Sequence, residues 1–199
     1  DVTVTVEASN NDADEACFSD TVSIVRNLII ADSSTSGGCV SDTKYDGGVR
    51  FVLPSTIPLG TTILAAYIEV YLSASTGSDD PNSEPVAIQY AAGPVAFTTT
   101  AGDISARVLA TATVLWTEPD ACGGSIDCWE DTPSLTALVQ EVANNFTIST
   151  LVFVFRGSQT GASNDLQFES WDASGTNQAI LHLTYGVAPT ATPTPTHTL

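Results

Sequence analysis

Apolar and polar residues alternate with a period of two along most of this chain. The opening segment DVTVTVEA places Val2, Val4 and Val6 on one face and polar residues on the other, which predicts a half-buried β-strand. Further segments repeat this pattern, and each is bounded by Gly, Pro, Ser, Asn or Asp, the residues that turns require. These segments are TVSIVRNLIIA, GGVRFVLP, TTILAAYIEVYLSA, PVAIQYAAG, ARVLATATVLW, STLVFVFRGS, DLQFESWD and AILHLTYG. About nine short strands at close spacing predict an all-β fold, an antiparallel β-sandwich or jelly roll.

One segment follows the helical period instead. In TPSLTALVQEVANN the apolar positions recur at i, i+3, i+4 and i+7, which gives a single apolar stripe. Thr132 is suited to cap such a helix, with Pro133 in its first turn. We therefore expect one short α-helix over about residues 132–145, packed against one end or side of the sandwich. Its buried stripe consists of Leu135, Leu138, Val139 and Val142.

The last residues of the chain differ in composition from the rest. Residues 1–186 contain all the predicted elements, and the 43% apolar content of the chain suits one domain with a buried core. Residues 187–199, VAPTATPTPTHTL, form a Pro/Thr-rich tail that favours an extended conformation. We expect its prolines to lower the entropy cost of docking into a neighbouring copy, and its threonines to carry glycans. The residues concerned are Pro189, Pro193 and Pro195, and Thr192, Thr194 and Thr196.

The charge balance is strongly acidic, with 23 Asp and Glu residues against five Lys and Arg and a net charge of −18. Phosphate backbones and anionic membrane surfaces would repel such a chain, so nucleic acid is excluded as a partner. No apolar run approaches the ~18 residues of a membrane span, and we expect the protein not to be membrane-embedded. Because the chain starts at Asp1 rather than Met, we expect that a signal peptide has been removed and that the protein is extracellular or at the cell surface.

The four cysteines fit an oxidising, exported setting, where an even count predicts two disulfides. Three pairings are possible. We favour Cys17 with Cys39 and Cys122 with Cys128, because sequence neighbours that flank Gly-rich loops meet most easily. A zinc site with four thiolates is the alternative, but the chain has no Cys-x-x-Cys pair.

Several longer motifs are similar to those of a group of secreted modules. The run GGVRFVLPSTIPLGTTILAAYIEVYL is followed by DISARVLATATVLW, TPSLTALVQEVANN, LVFVFRG and a closing AILHLTYG. Over roughly residues 4–186, this order resembles that of the bacterial and archaeal jelly-roll modules called DNRLRE domains. The resemblance implies a jelly roll and, because some of these modules are classed as carbohydrate-binding, a sugar-binding function. The shared motifs are mostly framework residues, which specify a fold better than a function. The chain departs from the pattern in its cysteine loops and its tail.

Carboxylates are concentrated in several stretches, of which NNDADEA is the first. We expect its acidic residues, Asp12, Asp14 and Glu15, to lie near Asp165 and Asp172 in the folded sandwich. Converging carboxylates supply the oxygen ligands that Ca²⁺ requires, so calcium is the one cofactor that the pattern favours. The chain has neither an EF-hand loop nor a Gly/Asp-rich nonapeptide repeat, and solvated acidic loops are the alternative interpretation.

Catalysis has little support in the sequence. There is no Gly-x-Ser-x-Gly elbow, and no free cysteine is expected to act as a nucleophile. His182 alternates with apolar residues on the last predicted strand, where a single histidine is a surface or packing residue. We therefore predict that the protein is not an enzyme.

Sugar binding is the more serious possibility among ligand-binding functions, since secreted sandwiches present aromatic side chains that stack on pyranose rings. Trp171, in FESWDASG just before a predicted turn, is the candidate for such stacking. Trp116 and Trp129 are expected in the core or against a disulfide. Asn145 begins the sequon NFT and is a candidate for glycosylation.

The first strand and the tail suggest a structural function. A short alternating strand such as DVTVTV can complete the sheet of a neighbouring copy or pair within its own sandwich, and both arrangements are open. A head-to-tail contact through either segment propagates into a filament. The sequence therefore predicts an extracellular structural protein, a subunit of a self-assembling surface filament or sheath whose partners are copies of itself. The alternative is a carbohydrate-binding module or adhesin whose partner is a polysaccharide.

Overall fold

Alternating apolar positions build an antiparallel β-sandwich in the computed structural model of the chain, which describes residues 1–16, 19–33, 45–75, 83–117, 128–157 and 164–186. The sandwich has two layers around one main core, and all the strand pairs found in these residues are antiparallel. The layers join where Asp32 pairs with Tyr45. This architecture confirms the predicted all-β fold.

The described residues contain twelve strands and three short helical segments. In the front layer, β12 (Ile180–Tyr185) and β11 (Asn164–Glu169) pair end to end with one edge of β6 (Ile63–Ser75), and β9 (Cys128–Asp131) pairs with its opposite edge. β1 (Val2–Thr5) lies on the far side of β12, and β4 (Leu28–Ser33) lies on the far side of β11. The back layer contains β5 (Tyr45–Ile57), β10 (Ile148–Arg156), β7 (Ser83–Ile88) and β8 (Val114–Thr117), with β2 (Asp12–Ala16) on the other edge of β5 and β3 (Thr21–Ser23) beyond it. The helical segments are a 3-10 turn (Ser9–Asn11), α1 (Thr136–Ala143) and α2 (Trp171–Ser174).

The core lies between the two layers and is filled by the inward faces of the alternating strands. Val4 and Val6 of the first segment are buried in it, as their spacing predicts. Phe155 of β10 crosses the core to Phe168 of β11, with ring centroids 5.2 Å apart, and also packs against Trp116. Each large side chain buried in this way contributes roughly 1.5–3 kcal/mol to the free energy of unfolding.

A strap of irregular chain, residues 94–109, covers the outer face of the back layer. Phe97 of the strap lies so close to β5 that a Cβ atom on Gly48 would come within 2.6 Å of its ring. Arg107 fixes the strap: its guanidinium lies 4.4 Å from the centre of the Phe97 ring and donates to the carbonyl of Val95, while its Nε donates to that of Asp103. These bonds hold the segment ARVLATATVLW mostly outside the sheet, so that only its end, within β8, is a strand.

The helix α1 is shorter than the sequence predicts. It begins at Thr136, with Leu135 in the N-cap position, and ends at Ala143. Its apolar stripe is fully buried as expected, but Thr132 does not cap it. The hydroxyl oxygen of Thr132 instead accepts a hydrogen bond at 3.0 Å from the backbone N–H of Ile68 in β6. Backbone N–H groups on a buried strand edge need hydrogen-bond partners, so the Thr132 side chain pairs with β6 instead of capping α1.

The segment from Thr132 to Gln140 covers the edge of β6 as a substitute for a neighbouring strand. Thr132, Thr136 and Gln140 lie four residues apart, and their side-chain oxygens accept from the N–H groups of Ile68, Ala66 and Ile63 respectively. The distances are 3.0, 3.1 and 2.8 Å. In return, the carbonyls of Ile68 and Ala66 accept from the N–H groups of Thr132 and Leu135. This edge of β6 is therefore closed along the length of α1.

Candidate functional site

The outer edge of β1 is open in the described part of the chain. β1 pairs on one side with β12, in a register that sets Val4 opposite Leu181. The N–H of Val6 donates to the carbonyl of Ala179 at 3.1 Å, which identifies the even-numbered residues as those that bond to β12. Because successive residues of a strand point their N–H and C=O groups to opposite edges, those of Thr3 and Thr5 face outward.

A groove runs beside this open edge, between β1 and the second half of β5, and we call it the β1–β5 groove. Its volume is about 320 Å³. β2 pairs with β5 only as far as Val49, so residues 50–57 of β5 have no described strand on this side. Val52 on the groove wall is 45% exposed. The groove is lined by Thr3, Val4, Thr5, Glu7, Val52, Leu53 and Pro54.

The residues predicted to act in assembly divide into two groups. Val2 and Val4 lie in β1, which pairs within its own sandwich, and Val6 follows it and bonds to Ala179; all three pack on the core of their own chain. What β1 offers to another chain is therefore its outer backbone edge. The prolines at 189, 193 and 195 and the threonines at 192, 194 and 196 lie outside the described residues.

The acidic residues of NNDADEA form β2 and are buried. Asp12 and Asp14 point to one side of the strand, where Asp12 Oδ2 accepts from the N–H of Trp171 at 2.7 Å. Asp14 Oδ2 lies 2.9 Å from the guanidinium of Arg26, and its Oδ1 has no hydrogen-bond partner in the part of the chain that the structure describes. Asp172 lies beside this pair and accepts from the hydroxyl of Ser9 at 2.9 Å. The fold thus brings three of the five predicted metal ligands together.

The other two predicted ligands lie elsewhere or are only partly described. Glu15 points to the opposite face of β2 and accepts from the N–H groups of Ile104 and Ser105, at 2.6 and 2.9 Å, which ties the strap to this strand. Asp165 pairs along the backbone with Asp32 in β4. Among the described residues, no group of three or more His, Cys, Asp or Glu side chains is placed to hold a metal ion.

Burial perturbs the ionisation of the two central carboxyls. It raises the pKa of Asp12 from 3.8 to about 7, opposed by the hydrogen bond from Trp171 and reinforced by the charges of Asp172 and Asp14. It raises the pKa of Asp14 to about 6, opposed by the guanidinium of Arg26. With pKa values of about 6 and about 7, the cluster gains negative charge as the pH rises through the range in which most proteins work.

The outer face of the front layer carries a row of aromatic side chains that we call the aromatic row. Tyr67 of β6 stacks on His182 of β12 with ring centroids 4.5 Å apart and planes 7° apart. Four residues further along β6, Tyr71 meets the edge of Trp129, which is 38% exposed. Glu69 lies between the two tyrosines and approaches His182 Nε2 to 3.1 Å. Sequence spacing does not show this row, because it depends on which strands flank β6.

The remaining predicted site residues are separate from both features. Trp171, the candidate for sugar stacking, opens α2 and is 36% exposed, while Trp116 is buried as expected. Asn145 is exposed just after α1, and its amide donates to the carbonyl of Glu141 at 2.9 Å. Cys128 is disulfide-bonded. Cys17, Cys39 and Cys122 lie outside the described residues, so the pairing stays a prediction.

Two further observations bear on the class of protein. In the described part of the chain, no helix has both the length and the apolar character needed to cross a bilayer. Comparison of the sequence with protein-family models and with curated proteins found no match. The likeness to DNRLRE domains stays a prediction that rests on the motifs alone.

Proposed function

We propose that this chain is an extracellular structural protein that joins copies of itself, through its first strand and its Pro/Thr tail, into a surface filament or sheath. The observation that supports the proposal is the open outer edge of β1, with the backbone groups of Thr3 and Thr5 turned toward the β1–β5 groove. An unpaired strand edge is a ready template for pairing with another chain.

The treatment of the other edge in the front layer strengthens this argument. Along α1, the edge of β6 is closed by side chains that occupy its backbone donors one by one. Within the described residues, the same layer leaves the outer edge of β1 without a partner strand. A contact between β1 of one copy and a different segment of the next is heterologous, and such contacts repeat without limit unless they close into a ring.

Electron microscopy of the purified protein, together with sedimentation velocity over a range of concentrations, tests the proposal. We expect filaments or sheaths, and we expect their loss in a variant that lacks residues 187–199. Deletion of the first strand is a poorer test, since Val4 and Val6 belong to the core. A protein that stays monomeric at all accessible concentrations and in its native setting would contradict the proposal.

Carbohydrate binding is a second candidate function, and the aromatic row favours it. The half-buried Tyr71 and the exposed Trp129 form an aromatic pair, with Glu69 nearby to bond to hydroxyl groups. Aromatic faces beside polar side chains suit sugar rings. Glycan-array binding that is lost in Trp129→Ala and kept in Trp171→Ala would support this site. Binding that is lost only in Trp171→Ala would place the sugar site at Trp171, as the sequence predicts.

Calcium stays a prediction for the cluster of Asp12, Asp14 and Asp172. Carboxylate oxygens are the ligands that Ca²⁺ prefers, and Asp14 Oδ1 and Asp172 Oδ2 lack hydrogen-bond partners among the described residues. Thermal unfolding with EDTA and with excess CaCl₂ tests it. A melting temperature that rises with Ca²⁺ in the natural protein and not in Asp172→Asn supports the site, and identical melting temperatures exclude it.

A further inference from the structure

We propose that residues 187–199 of one copy pair as a β-strand with the outer edge of β1 in a second copy, within the β1–β5 groove. This inference rests on the proposed function and specifies the joint. It follows from the outward groups of Thr3 and Thr5, from the shape and lining of the groove, and from the order of residues in the tail.

The tail has a parity that suits one-sided strand pairing. Its three prolines occupy odd positions only, 189, 193 and 195, and its five threonines occupy even positions only, from 190 to 198. In a strand, the N–H groups of even and odd residues point to opposite edges. One edge of the tail therefore keeps every threonine N–H, while the other edge lacks three donors, since proline has none.

The β1–β5 groove matches that one-sided strand. β1 supplies outward N–H and C=O groups at Thr3 and Thr5, which can pair with the threonine edge of the tail. Val52, Leu53 and Pro54 provide an apolar wall. Side chains alternate along a strand, so the tail carries its five threonines and Ala188 on one face. The other face carries Val187, Ala191, His197, Leu199 and the three prolines.

Charge favours this segment as the joint. Copies with a net charge of −18 repel one another, and a contact between their acidic surfaces would bring carboxylates together. Residues 187–199 contain no Asp, Glu, Lys or Arg. Glu7 is the acidic residue that lines the groove. The tail can therefore enter the groove without placing an acidic side chain there.

The same parity limits the joint to one added strand. Once the threonine edge has paired with β1, the proline edge faces outward with three N–H groups missing. A further strand cannot form a regular ladder on that edge. Each groove then takes one tail, and growth continues from subunit to subunit rather than sideways into an aggregate.

Photo-crosslinking of the full chain tests the location. A photoreactive benzoylphenylalanine replaces Val52, and chains grown in ¹⁴N and ¹⁵N media are mixed before irradiation. We expect crosslinked peptides that join residue 52 to residues 187–199, with mixed isotopes in a large fraction of them. Crosslinks of a single isotope only would show that each tail fills the groove of its own chain, and crosslinks to other segments would place the joint elsewhere. Either result overturns the inference.

A pair of tail variants with unchanged composition tests the register. In the first, each proline exchanges with the threonine that follows it, which moves all three prolines to even positions. β1 offers outward carbonyls at Thr3 and Thr5, so one or two strand hydrogen bonds are lost in any register, which predicts association that is roughly five- to thirtyfold weaker. In the control, Ala191→Pro with Pro193→Ala moves a proline between odd positions, and association should be unchanged. The first variant consists of Pro189→Thr, Thr190→Pro, Pro193→Thr, Thr194→Pro, Pro195→Thr and Thr196→Pro.

The outcomes separate this inference from the proposed function. Polymers that persist equally in both tail variants overturn the register while the structural function stands. Absence of polymers in the natural protein, with no crosslinks between copies, contradicts the proposed function itself. Both tail variants leave residues 1–186 unchanged. An altered melting temperature of the monomer in either, measured below the concentration at which copies associate, would show that the tail contributes to the fold of its own chain, which also overturns the inference.

Discussion

The two strand edges of the front layer are handled in opposite ways. Along α1, the edge of β6 is closed by Thr132, Thr136 and Gln140, whose oxygens take up the backbone donors of the strand. The outer edge of β1 has no described strand or side chain in that position, and its groups face a groove. A closed edge requires specific side chains at specific spacing. An open edge costs little while water reaches it, and it remains available to another chain.

Removing the packing of α1 should have the largest effect on this contrast. Leu138 lies on the buried face of α1, and Leu138→Ala leaves a cavity there and loosens the segment that covers β6. We expect a loss of about 3 kcal/mol in the free energy of unfolding, measured by urea denaturation. Leu64→Ala is the control, because Leu64 lies on β6 itself but is 61% exposed. Equal losses in the two variants would mean that α1 does not stabilise the edge.

Removing one acceptor from the closed edge should have the next largest effect. Thr132→Val keeps the shape of the side chain but leaves the N–H of Ile68 without its partner in a buried position. We expect a loss of about 2 kcal/mol. On the open edge, Thr3→Val should change the free energy of unfolding by less than about 0.5 kcal/mol. A similar cost at both positions would remove the distinction between the edges.

Asp12 marks the point on β5 where its covered edge ends, opposite Val49, and its ionisation should affect stability. Because burial raises its pKa to about 7 from 3.8, the folded chain holds a proton that the unfolded chain has released between about pH 4 and 7. The free energy of unfolding should therefore fall as pH rises through this window. The same direction applies to Asp14, over a narrower range.

Asp12→Asn should weaken that pH dependence. At pH 8 the variant avoids a buried charge, and we expect it to be more stable than the natural protein by on the order of 1–2 kcal/mol, with little difference at pH 4. Thermal and urea unfolding in EDTA at both pH values measure this. Asp20→Asn, at an exposed position, controls for the change in net charge. A gain that is equal at both pH values would show that ionisation of Asp12 is not the cause.

The smallest effect on the fold is expected from proline on the open edge. Thr5→Pro removes an N–H that points away from β12, so the free energy of unfolding should change by less than about 1 kcal/mol. Val4→Pro removes an N–H that bonds to β12 and should cost several times more. Circular dichroism and urea denaturation compare the two. If Thr5→Pro unfolds the protein as readily as Val4→Pro, the assignment of inward and outward groups is wrong.

Sequence pattern predicted the elements that are amphipathic over several residues. β1, β12 and the apolar stripe of α1 follow from their periodicity alone. β2 could not be found in this way, because its sequence DADEA offers only alanines to the core and its carboxylates are buried by partners distant in the chain. The path of the strap was not predicted for a related reason: the Arg107 side chain, rather than hydrogen bonds to a neighbouring strand, holds it in place.

The site features were less accessible to sequence than the fold. The clustering of Asp12, Asp14 and Asp172 was expected, but their burial was not. The aromatic row and the open edge depend on which strand lies beside which, and that order is set by packing between segments that are distant in the chain. The position of Thr132 is a similar case, because a helix cap and a strand-edge acceptor require the same residue type.

The closure of the β6 edge by side chains should also slow the exchange of its amide protons with solvent. Amide protons exchange with solvent only when their hydrogen bonds open, so those of Ala66 and Ile68 should exchange as slowly as protons inside a sheet. Those of Thr3 and Thr5 should exchange within the dead time of the experiment in a monomer and become slow when a second chain pairs with them. A single measurement of exchange rates would thus show that the edge of β6 stays hydrogen-bonded, and it would show whether a second chain is paired with the edge of β1.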